Sequence, residues 1–332
     1  MHSPAIDVMR LLAILAVVLV HTTTKTLNAT GYDLNAYWWP LLLNQISRFA
    51  VPMFFLISGF VLELNYGHHP DYFSYLKKRL SKILVPYLFW SLIYYFFVYQ
   101  GNLAPLSTVL LWGGAAYQLY FIPALMIFYL IFPLFHRLYK ILAHPLVLLV
   151  LGAVQVRILY QDYFVRDLPY PFPISIALMA FYVFIIGMVA SHYQKQLMEG
   201  IKKWFWALAP LTIGLALGIF WQGWQRYFMT WNIHAFYSQW RPSVMFYSIS
   251  LSAVLYYLFS VSKRFQKQIP ALSGLAFFVF FFHLIPLELL LRQIGTVQAW
   301  WYDPMFFLAT AAASFGVGYL AHKIPYLSKL TG

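Results

Sequence analysis

The sequence contains no cysteine and few charged residues. Without cysteine, disulfide bonds, thiolate-bound zinc and an acyl intermediate on a cysteine are excluded, and we expect no metal site. Asp, Glu, Lys and Arg make up 9% of the chain, against roughly 25% in soluble domains. The 62% hydrophobic content therefore indicates a polytopic integral membrane protein.

Acidic residues are scarcer than basic ones, nine against 22, which gives a net charge of +13. In a soluble protein such a charge suggests nucleic acid as a partner. Here the basic residues lie between apolar runs, so they indicate membrane topology instead. We expect membrane lipids as surroundings and no nucleic acid.

Apolar runs long enough to cross a bilayer follow one another along the chain. They predict an all-α fold of about ten transmembrane helices in one domain, 1–332, with no appended soluble domain. The predicted spans are 5–24, 43–64, 82–99, 118–135, 145–160, 174–191, 204–222, 243–260, 271–291 and 303–321.

The lysines are distributed unevenly between the two sets of connecting segments. Every lysine except Lys25 lies in or beside one set, which predicts cytoplasmic N- and C-termini. The segments of that set are 65–81, 136–144, 192–203, 261–270 and the C-terminal tail.

The first span, Ala5–Thr24, is apolar yet carries three ionisable residues. Arg10 and His21 fall on one helix face, about 16 Å apart along the axis. Asp7 precedes Arg10 at i,i+3 spacing and can pair with it. Such groups cost several kcal/mol in hydrocarbon unless they face protein or water, so the stripe is a candidate active site. Alternatively, Arg10 reaches the headgroups and His21 is an interfacial histidine with a backbone partner.

Other spans also carry ionisable residues. Arg48 and Glu63 mark the outer and inner ends of the second span. His283 lies among phenylalanines in the ninth span, where a histidine needs a hydrogen-bond partner. Glu288 and Arg292 lie beyond His283 and are spaced i,i+4 from each other, which predicts an ion pair between them. A packing histidine remains the alternative interpretation of His283.

Lys78, Arg79 and Lys82 form a basic cluster near the start of the third span. Topology and headgroup contact explain such a cluster, and a phosphorylated cytoplasmic ligand is the other interpretation. The outer segments 161–173 and 223–242 mix aromatic and polar residues. Such mixtures bind sugars, but they also form ordinary interfacial belts.

Five stretches, in this order and spacing, resemble acyltransferase family 3. They read DVMRLLAILAVVLVH, RFAVPMFFLISGFVL, KKRLSKILVPYLFW, QLYFIPALMIFYLIFPLF and FYVFIIGMVAS. The resemblance covers essentially the whole chain. It implies a multi-pass enzyme of the bacterial cytoplasmic membrane. Such an enzyme transfers an acyl group from cytoplasmic acetyl-CoA, or a related acyl-CoA, to a hydroxyl of an exported or cell-surface carbohydrate.

The resemblance also implies roles for individual residues. The arginine and histidine of the family's first helix fall on Arg10 and His21, and its ninth-helix histidine falls on His283. Its basic pair, usually Arg-x-x-Arg, falls on Arg79 and Lys82. The lysine departs from that pattern and weakens bidentate phosphate recognition.

Two further departures bear on the mechanism. Where the family often has His-Leu-Trp at the start of span four, this chain has Gln118, Leu119 and Tyr120, so the role of that histidine is not transferred. Some relatives carry an extracytoplasmic hydrolase-like domain, which this sequence lacks. We therefore expect the membrane domain to complete the transfer alone.

On this interpretation His21 is the general base, or alternatively a transient acyl carrier. Arg10, held by Asp7, positions the donor or its thioester carbonyl, and Glu63 and His283 support the site. Two further sets bind substrates. The acyl-CoA phosphates are assigned to Arg79, Lys82 and Lys78. The acceptor side is assigned to Arg48, Arg241 and Tyr120.

A transporter or flippase of a lipid-linked sugar is the rival interpretation. A polar column and kinked helices serve both functions, whereas a flippase needs no cytoplasmic CoA site. The acceptor, the acyl group and the oligomeric state stay open.

Overall fold

All regular secondary structure in the described part of the chain is helical. The computed structural model describes residues 3–29, 33, 38–66, 71–99, 104–165, 172–230, 238–262 and 269–324, and no strand occurs among them. A backbone that spans a membrane must satisfy its own hydrogen bonds, which a helix does. The predicted all-α membrane fold is confirmed.

The α-helices of this part of the chain follow one another with short breaks. In chain order they are α1 (Pro4–Leu27), α2 (Trp39–Ile46), α3 (Ala50–Tyr66), α4 (Tyr72–Ile93), α5 (Leu106–Trp112), α6 (Phe121–Arg137), α7 (Tyr139–Leu142), α8 (Pro145–Tyr160), α9 (Phe172–His192), α10 (Gln194–Thr230), α11 (Pro242–Val261), α12 (Ile269–Gly274), α13 (Ala276–Phe282), α14 (Leu284–Ile294) and α15 (Tyr302–His322). A 3₁₀ turn, Ser47–Phe49, joins α2 to α3. π-helical turns at Tyr94–Val98 and Gln161–Val165 continue α4 and α8.

Eight helical segments among the described residues are long and apolar enough to cross a membrane. They are Pro4–Leu27, Trp39–Tyr66, Tyr72–Val98, Pro145–Phe164, Phe172–His192, Gln194–Met229, Pro242–Val261 and Tyr302–His322. The pair α13 and α14, bent by 44° at His283, makes nine if it counts as one broken span. α6 is apolar but has 17 residues. Each predicted span therefore has a helical counterpart.

The segments 65–81 and 192–203 are predicted to connect the spans, and this prediction is wrong over most of their length. Both are largely helical, because the helices extend beyond their apolar parts. α4 begins at Tyr72 and α10 at Gln194. Asp71 caps α4: its carboxylate accepts the backbone N–H of Ser74 at 2.7 Å, and this bond lowers the pKa of the exposed Asp71 carboxyl. The polar residues of both extensions are good helix formers, although their low hydropathy hides them from a search for spans.

One compact unit is built mainly from Phe54–Met198. Phenylalanine rings from three helices form part of its core. Phe128 of α6 stacks on Phe184 of α9 at 4.2 Å between ring centroids, and Phe55 of α3 lies 5.5 Å from Phe128. Each such pair contributes about 0.5–1.5 kcal/mol beyond its buried area.

In the same unit, α3 and α9 approach backbone to backbone. A side chain on Gly59 would overlap the carbonyl oxygen of Phe184, and one on Gly187 would overlap that of Leu56. Small residues permit this close approach of helices in membranes. Gly59 is thus a packing residue inside a continuous helix.

The second compact unit comprises Ser3–Met53 and Glu199–Ile324. Within it, α1 packs against α2, α11, α12, α13 and α15. A helix surrounded in this way can carry ionisable groups, because they face protein instead of lipid. Of the polar stripe on the first helix, Asp7 is buried, whereas Arg10 and His21 are partly buried.

Within this second unit, α12–α14 run in the same direction as α1. Three pairs of neighbours along the two segments show it: Arg10 with Ser273, His21 with His283, and Lys25 with Glu288. α15 begins near the end of α1, where Thr26 bonds to Asp303.

Candidate active site

Arg10 is held by Asp7, as their spacing predicts. Its Nη1 donates to Asp7 Oδ1 at 3.2 Å and to Ser273 Oγ at 3.5 Å. The Ser273 hydroxyl donates to the same carboxylate oxygen at 3.2 Å. The Asp7 side chain is 10% exposed and that of Arg10 is 32% exposed. The cation is thus fixed in place but still accessible.

His21 and His283 form a stacked pair. Their ring centroids are 5.2 Å apart and their planes differ by 23°. His21 is half-buried, whereas His283 is fully buried. Because the two residues lie far apart in the chain, the sequence indicated each of them but not their contact.

His283 lies at the break between α13 and α14. Its Nδ1 lies 2.8 Å from the Val279 carbonyl oxygen and 3.0 Å from that of Phe280. A carbonyl only accepts, so Nδ1 carries the hydrogen and Nε2 of the neutral ring is an acceptor. Nε2 is buried and has no hydrogen-bond partner among the described residues. An unbonded buried polar atom is uncommon and calls for a functional explanation.

Two polar contacts follow near the end of α1. Lys25 forms an ion pair with Glu288 at 2.7 Å. The predicted pair of Glu288 with Arg292 is therefore wrong, because i,i+4 spacing does not reveal a cation on another helix. Thr26 Oγ1 donates to Asp303 Oδ1 at 2.8 Å, and Asp303 is buried. Sequence reasoning missed Asp303, although a carboxylate at the head of an apolar run is a usable signal.

Arg48 is buried and bonded to Asn44. Its Nε donates to Asn44 Oδ1 at 3.1 Å, and its Nη2 donates to the same oxygen. Asn44 Nδ2 in turn donates to the Val20 carbonyl at 3.2 Å and to Thr24 Oγ1 at 3.0 Å. Asn44 therefore ties Arg48 to the turn of α1 that carries His21. The charge of Arg48 interacts electrostatically with His21.

Arg241 joins the same network. Its Nη2 donates to Gln45 Oε1 at 2.6 Å and its Nε to the Ser238 carbonyl at 3.1 Å. Gln45 Nε2 donates to Asn44 Oδ1 at 3.3 Å, which links Arg241 to Arg48 through two amides. Arg241 is 1% exposed and Arg48 6% exposed. Both arginines, which the sequence analysis assigns to the acceptor side, therefore belong to a buried network.

Tyr120, the third residue predicted on the acceptor side, immediately precedes α6. Its ring meets Phe172 edge-on at 5.7 Å. Gly113, with φ of 71°, packs against the Tyr120 backbone. Gln118 is buried, and neither of its amide atoms has a hydrogen-bond partner among the described residues. Within the mixed aromatic and polar segments 161–173 and 223–242, some residues lie outside the described residues, namely Arg166, Asp167, Trp231 and His234.

Lys78, Arg79 and Lys82 all lie on α4 of the first unit, although the sequence analysis places Lys78 and Arg79 in a connecting segment and Lys82 at the start of a span. Arg79 is half-buried, and its Nε has no hydrogen-bond partner in the described part of the chain. Lys78 and Lys82 are exposed. Helical spacing puts all three on one side of α4, where their donors can meet an anion.

Glu63 is the centre of another polar cluster in the first unit. Its carboxylate lies 3.0 Å from His136 Nδ1 and 3.3 Å from His192 Nδ1. The His192 ring lies 4.0 Å from that of Tyr139. These contacts tie the ends of α3, α6 and α9 together, which sequence reasoning missed. Within the described ranges, no group of three or more His, Asp and Glu residues is arranged to hold a metal ion.

The predicted site residues thus fall in both units. The second unit holds His21, His283, Arg10, Asp7, Arg48 and Arg241. The first unit holds Arg79, Lys82, Lys78, Glu63 and Tyr120. The set in the second unit combines imidazole nitrogens with guanidinium groups that hydrogen bonds hold in place. Such a set can accept a proton and stabilise a developing negative charge.

Comparison with known proteins assigns the family. A serine/alanine racemase of Enterococcus gallinarum is 31% identical over 138 residues, covering 38% of this chain and 18% of the racemase. The chain thus spans less than a fifth of that relative, and no solved structure matches. The family described as an acyltransferase domain, acyltransferase family 3, matches residues 3–323. The chain therefore belongs to acyltransferase family 3, a family of membrane acyltransferases.

Proposed function

We propose that this protein is an O-acyltransferase of the bacterial cytoplasmic membrane. It moves an acyl group, acetyl in the simplest case, from cytoplasmic acyl-CoA to a hydroxyl of an exported or cell-surface carbohydrate. The observation that carries the proposal is the stacking of His21 on His283. His21 lies on the same face of α1 as Arg10, which Asp7 holds. Family membership supplies the reaction type.

In this proposal His21 takes the proton of the acceptor hydroxyl. The residue is half-buried, unlike the fully buried His283, and stacking against His283 limits the orientation of its ring. A positioned general base contributes about 10²–10⁴-fold to the rate. A transient acyl group on His21 is the alternative route.

The donor is assigned to the cations of α4 and to Arg10. Arg79, Lys82 and Lys78 hold the CoA phosphates, and the buried Nε of Arg79 supports this assignment. Arg10, fixed by Asp7, guides the acyl end toward the histidine pair. Both termini then lie in the cytoplasm, as the lysine distribution predicts.

The test is acyl transfer by the purified protein. Radiolabelled acetyl-CoA is offered with the methyl glycosides of glucose, galactose, mannose and N-acetylglucosamine as probe acceptors. His21→Gln should lose at least about 10²-fold in rate, because glutamine cannot take a proton. His144→Gln, at an exposed histidine, is the matched control and should keep the wild-type rate.

Two results would contradict the proposal. A folded His21→Gln protein with more than about a tenth of the wild-type rate would end the general-base assignment. A folded wild-type protein that transfers no acetyl, propionyl or succinyl group to any probe would end the enzyme assignment. Movement of a lipid-linked sugar across proteoliposomes without acyl transfer would favour the transporter.

A further inference from the structure

Acyl transfer places a negative charge beside the base. When a hydroxyl attacks a thioester carbonyl, the carbonyl oxygen becomes an oxyanion, and an effective donor lies about 2.7–3.1 Å from it. In the proposed reaction His21 accepts the hydroxyl proton. The donor must therefore reach the space next to His21.

Arg10 is poorly placed for this task. It lies three turns of α1 before His21, about 16 Å along the axis. Its bond to Asp7, which lies still earlier in α1, draws the guanidinium away from His21. Its contact with Ser273 has the same effect, because Ser273 lies ten residues before His283 on a segment parallel to α1. Arg10 is better placed to hold the donor.

Arg48 is tied through Asn44 to the turn of α1 that carries His21. The amide of Asn44, to which Arg48 is bonded, contacts Val20 and Thr24 of α1. These two residues flank His21 in the same turn of the helix. Arg48 therefore reaches the reacting region from α2 and the 3₁₀ turn, whereas His283 stacks on His21 from the break between α13 and α14.

Arg48 is also rigidly held and largely shielded from water. Two of its nitrogens donate to one oxygen of Asn44, and the other end of that amide is bonded to α1. A guanidinium carries its five N–H donors in a planar fork, a geometry that suits hydrogen bonds to more than one oxygen. At 6% exposure its charge acts in a medium of low polarity, where it stabilises an anion more than it would in water.

We infer that Arg48 is the catalytic residue that stabilises the oxyanion, an inference that rests on the proposed acyl transfer. The acceptor oxygen forms a bond to the thioester carbon while its proton passes to His21. The carbonyl electron pair moves onto the oxygen beside Arg48. The intermediate then collapses: the carbon–sulfur bond breaks, and the CoA thiolate takes the proton from His21. The products are an ester and free CoA.

The first variant is Arg48→Gln, assayed with acetyl-CoA and the methyl glycoside probes. We expect kcat to fall about 10²–10³-fold with little change of KM for acetyl-CoA, because the oxyanion exists only after attack. Arg48→Lys should recover part of kcat, since it restores the charge. Arg10→Gln should instead raise KM for acetyl-CoA. Arg157→Gln, at an exposed arginine of α8, is the matched control.

A second variant keeps the inference testable if Arg48→Gln does not fold. Asn44→Asp leaves an oxygen that Arg48 can bond to, but it places a negatively charged carboxylate beside the guanidinium. That carboxylate offsets the positive charge of Arg48, so kcat should fall at least tenfold. An unchanged kcat in folded Arg48→Gln, or in folded Asn44→Asp where the first is unfolded, would overturn the role of Arg48. Absence of transfer by the wild-type protein would instead overturn the proposed function.

Discussion

At the scale of single residues, polar side chains inside apolar helices are stabilised by partners on neighbouring helices. Asp7 accepts from Arg10 on its own helix and from Ser273 on α12, and Asp303 accepts from Thr26. Such bonds offset the cost of removing a polar group from water. His283 Nε2 has no bonded partner in the described part of the chain, which agrees with its position beside the proposed reaction centre.

The basic residues of α4 make a prediction about the donor. Arg79→Ala and Lys82→Ala should weaken binding of acetyl-CoA more than binding of its 3′-dephospho form, because the lost contacts are to phosphate. Titration calorimetry on the purified variants measures both affinities. Lys82→Arg should bind at least as well as the wild type.

Lys77→Ala is the control for these variants. Lys77 is an exposed cation of the same helix, but it points away from the side that carries Lys78, Arg79 and Lys82. Its loss should leave both affinities unchanged. Equal weakening of acetyl-CoA and its dephospho form in the Arg79 and Lys82 variants would contradict contact with the 3′-phosphate.

Contacts between near neighbours were predictable from the sequence, and contacts between distant residues were not. The ion pair of Asp7 and Arg10 follows from helical spacing. The same reasoning failed for Glu288, because its partner Lys25 lies on a helix distant in the chain. Asn44, the amide that fixes Arg48, was missed. An asparagine inside an apolar run is nevertheless a signal that a buried polar network is near.

At the scale of helices, the crossing of α3 and α9 predicts intolerance to side chains. Gly59→Ala and Gly187→Ala each force a methyl group into a backbone carbonyl, so the helices must separate. We expect a loss of about 1–3 kcal/mol of stability or more, as in overpacked cores. Thermal unfolding of the purified protein in detergent measures it.

Gly316→Ala in α15 is the matched control. No atom lies within 4 Å of the added methyl group, so stability should hold or rise slightly through helix propensity. Wild-type melting temperatures for Gly59→Ala and Gly187→Ala would show that α3 and α9 are not in backbone contact.

The sequence located the helices better than their ends. Apolar runs identify the part of each helix that fits the bilayer, and every predicted span has a helical counterpart among the described residues. Helices extend further wherever a cap and good helix formers continue them, as Asp71 and the basic residues after it do for α4. Hydropathy carries no information about such extensions.

At the scale of the whole molecule, the topology can be tested with single cysteines in this cysteine-free chain. Thr296→Cys, between α14 and α15, and Lys195→Cys, at the start of α10, are both exposed. An impermeant thiol reagent added to intact cells should label the first and not the second. Permeabilised cells are the control and should allow both to react. The opposite pattern in intact cells would reverse the orientation.

The parallel course of α1 and α12–α14 determines how often the chain crosses the membrane between them. A chain that crosses the membrane in α1 must cross back before it can cross again in the same direction. The number of crossings between α1 and α12–α14 is therefore odd. The long segments from Trp39–Tyr66 to Pro242–Val261 number six among the described residues. α6 is the apolar helix that makes the number odd. Its 17 residues measure about 26 Å against a bilayer core of about 30 Å, so either the bilayer thins where α6 crosses or the residues flanking α6 reach toward the interface.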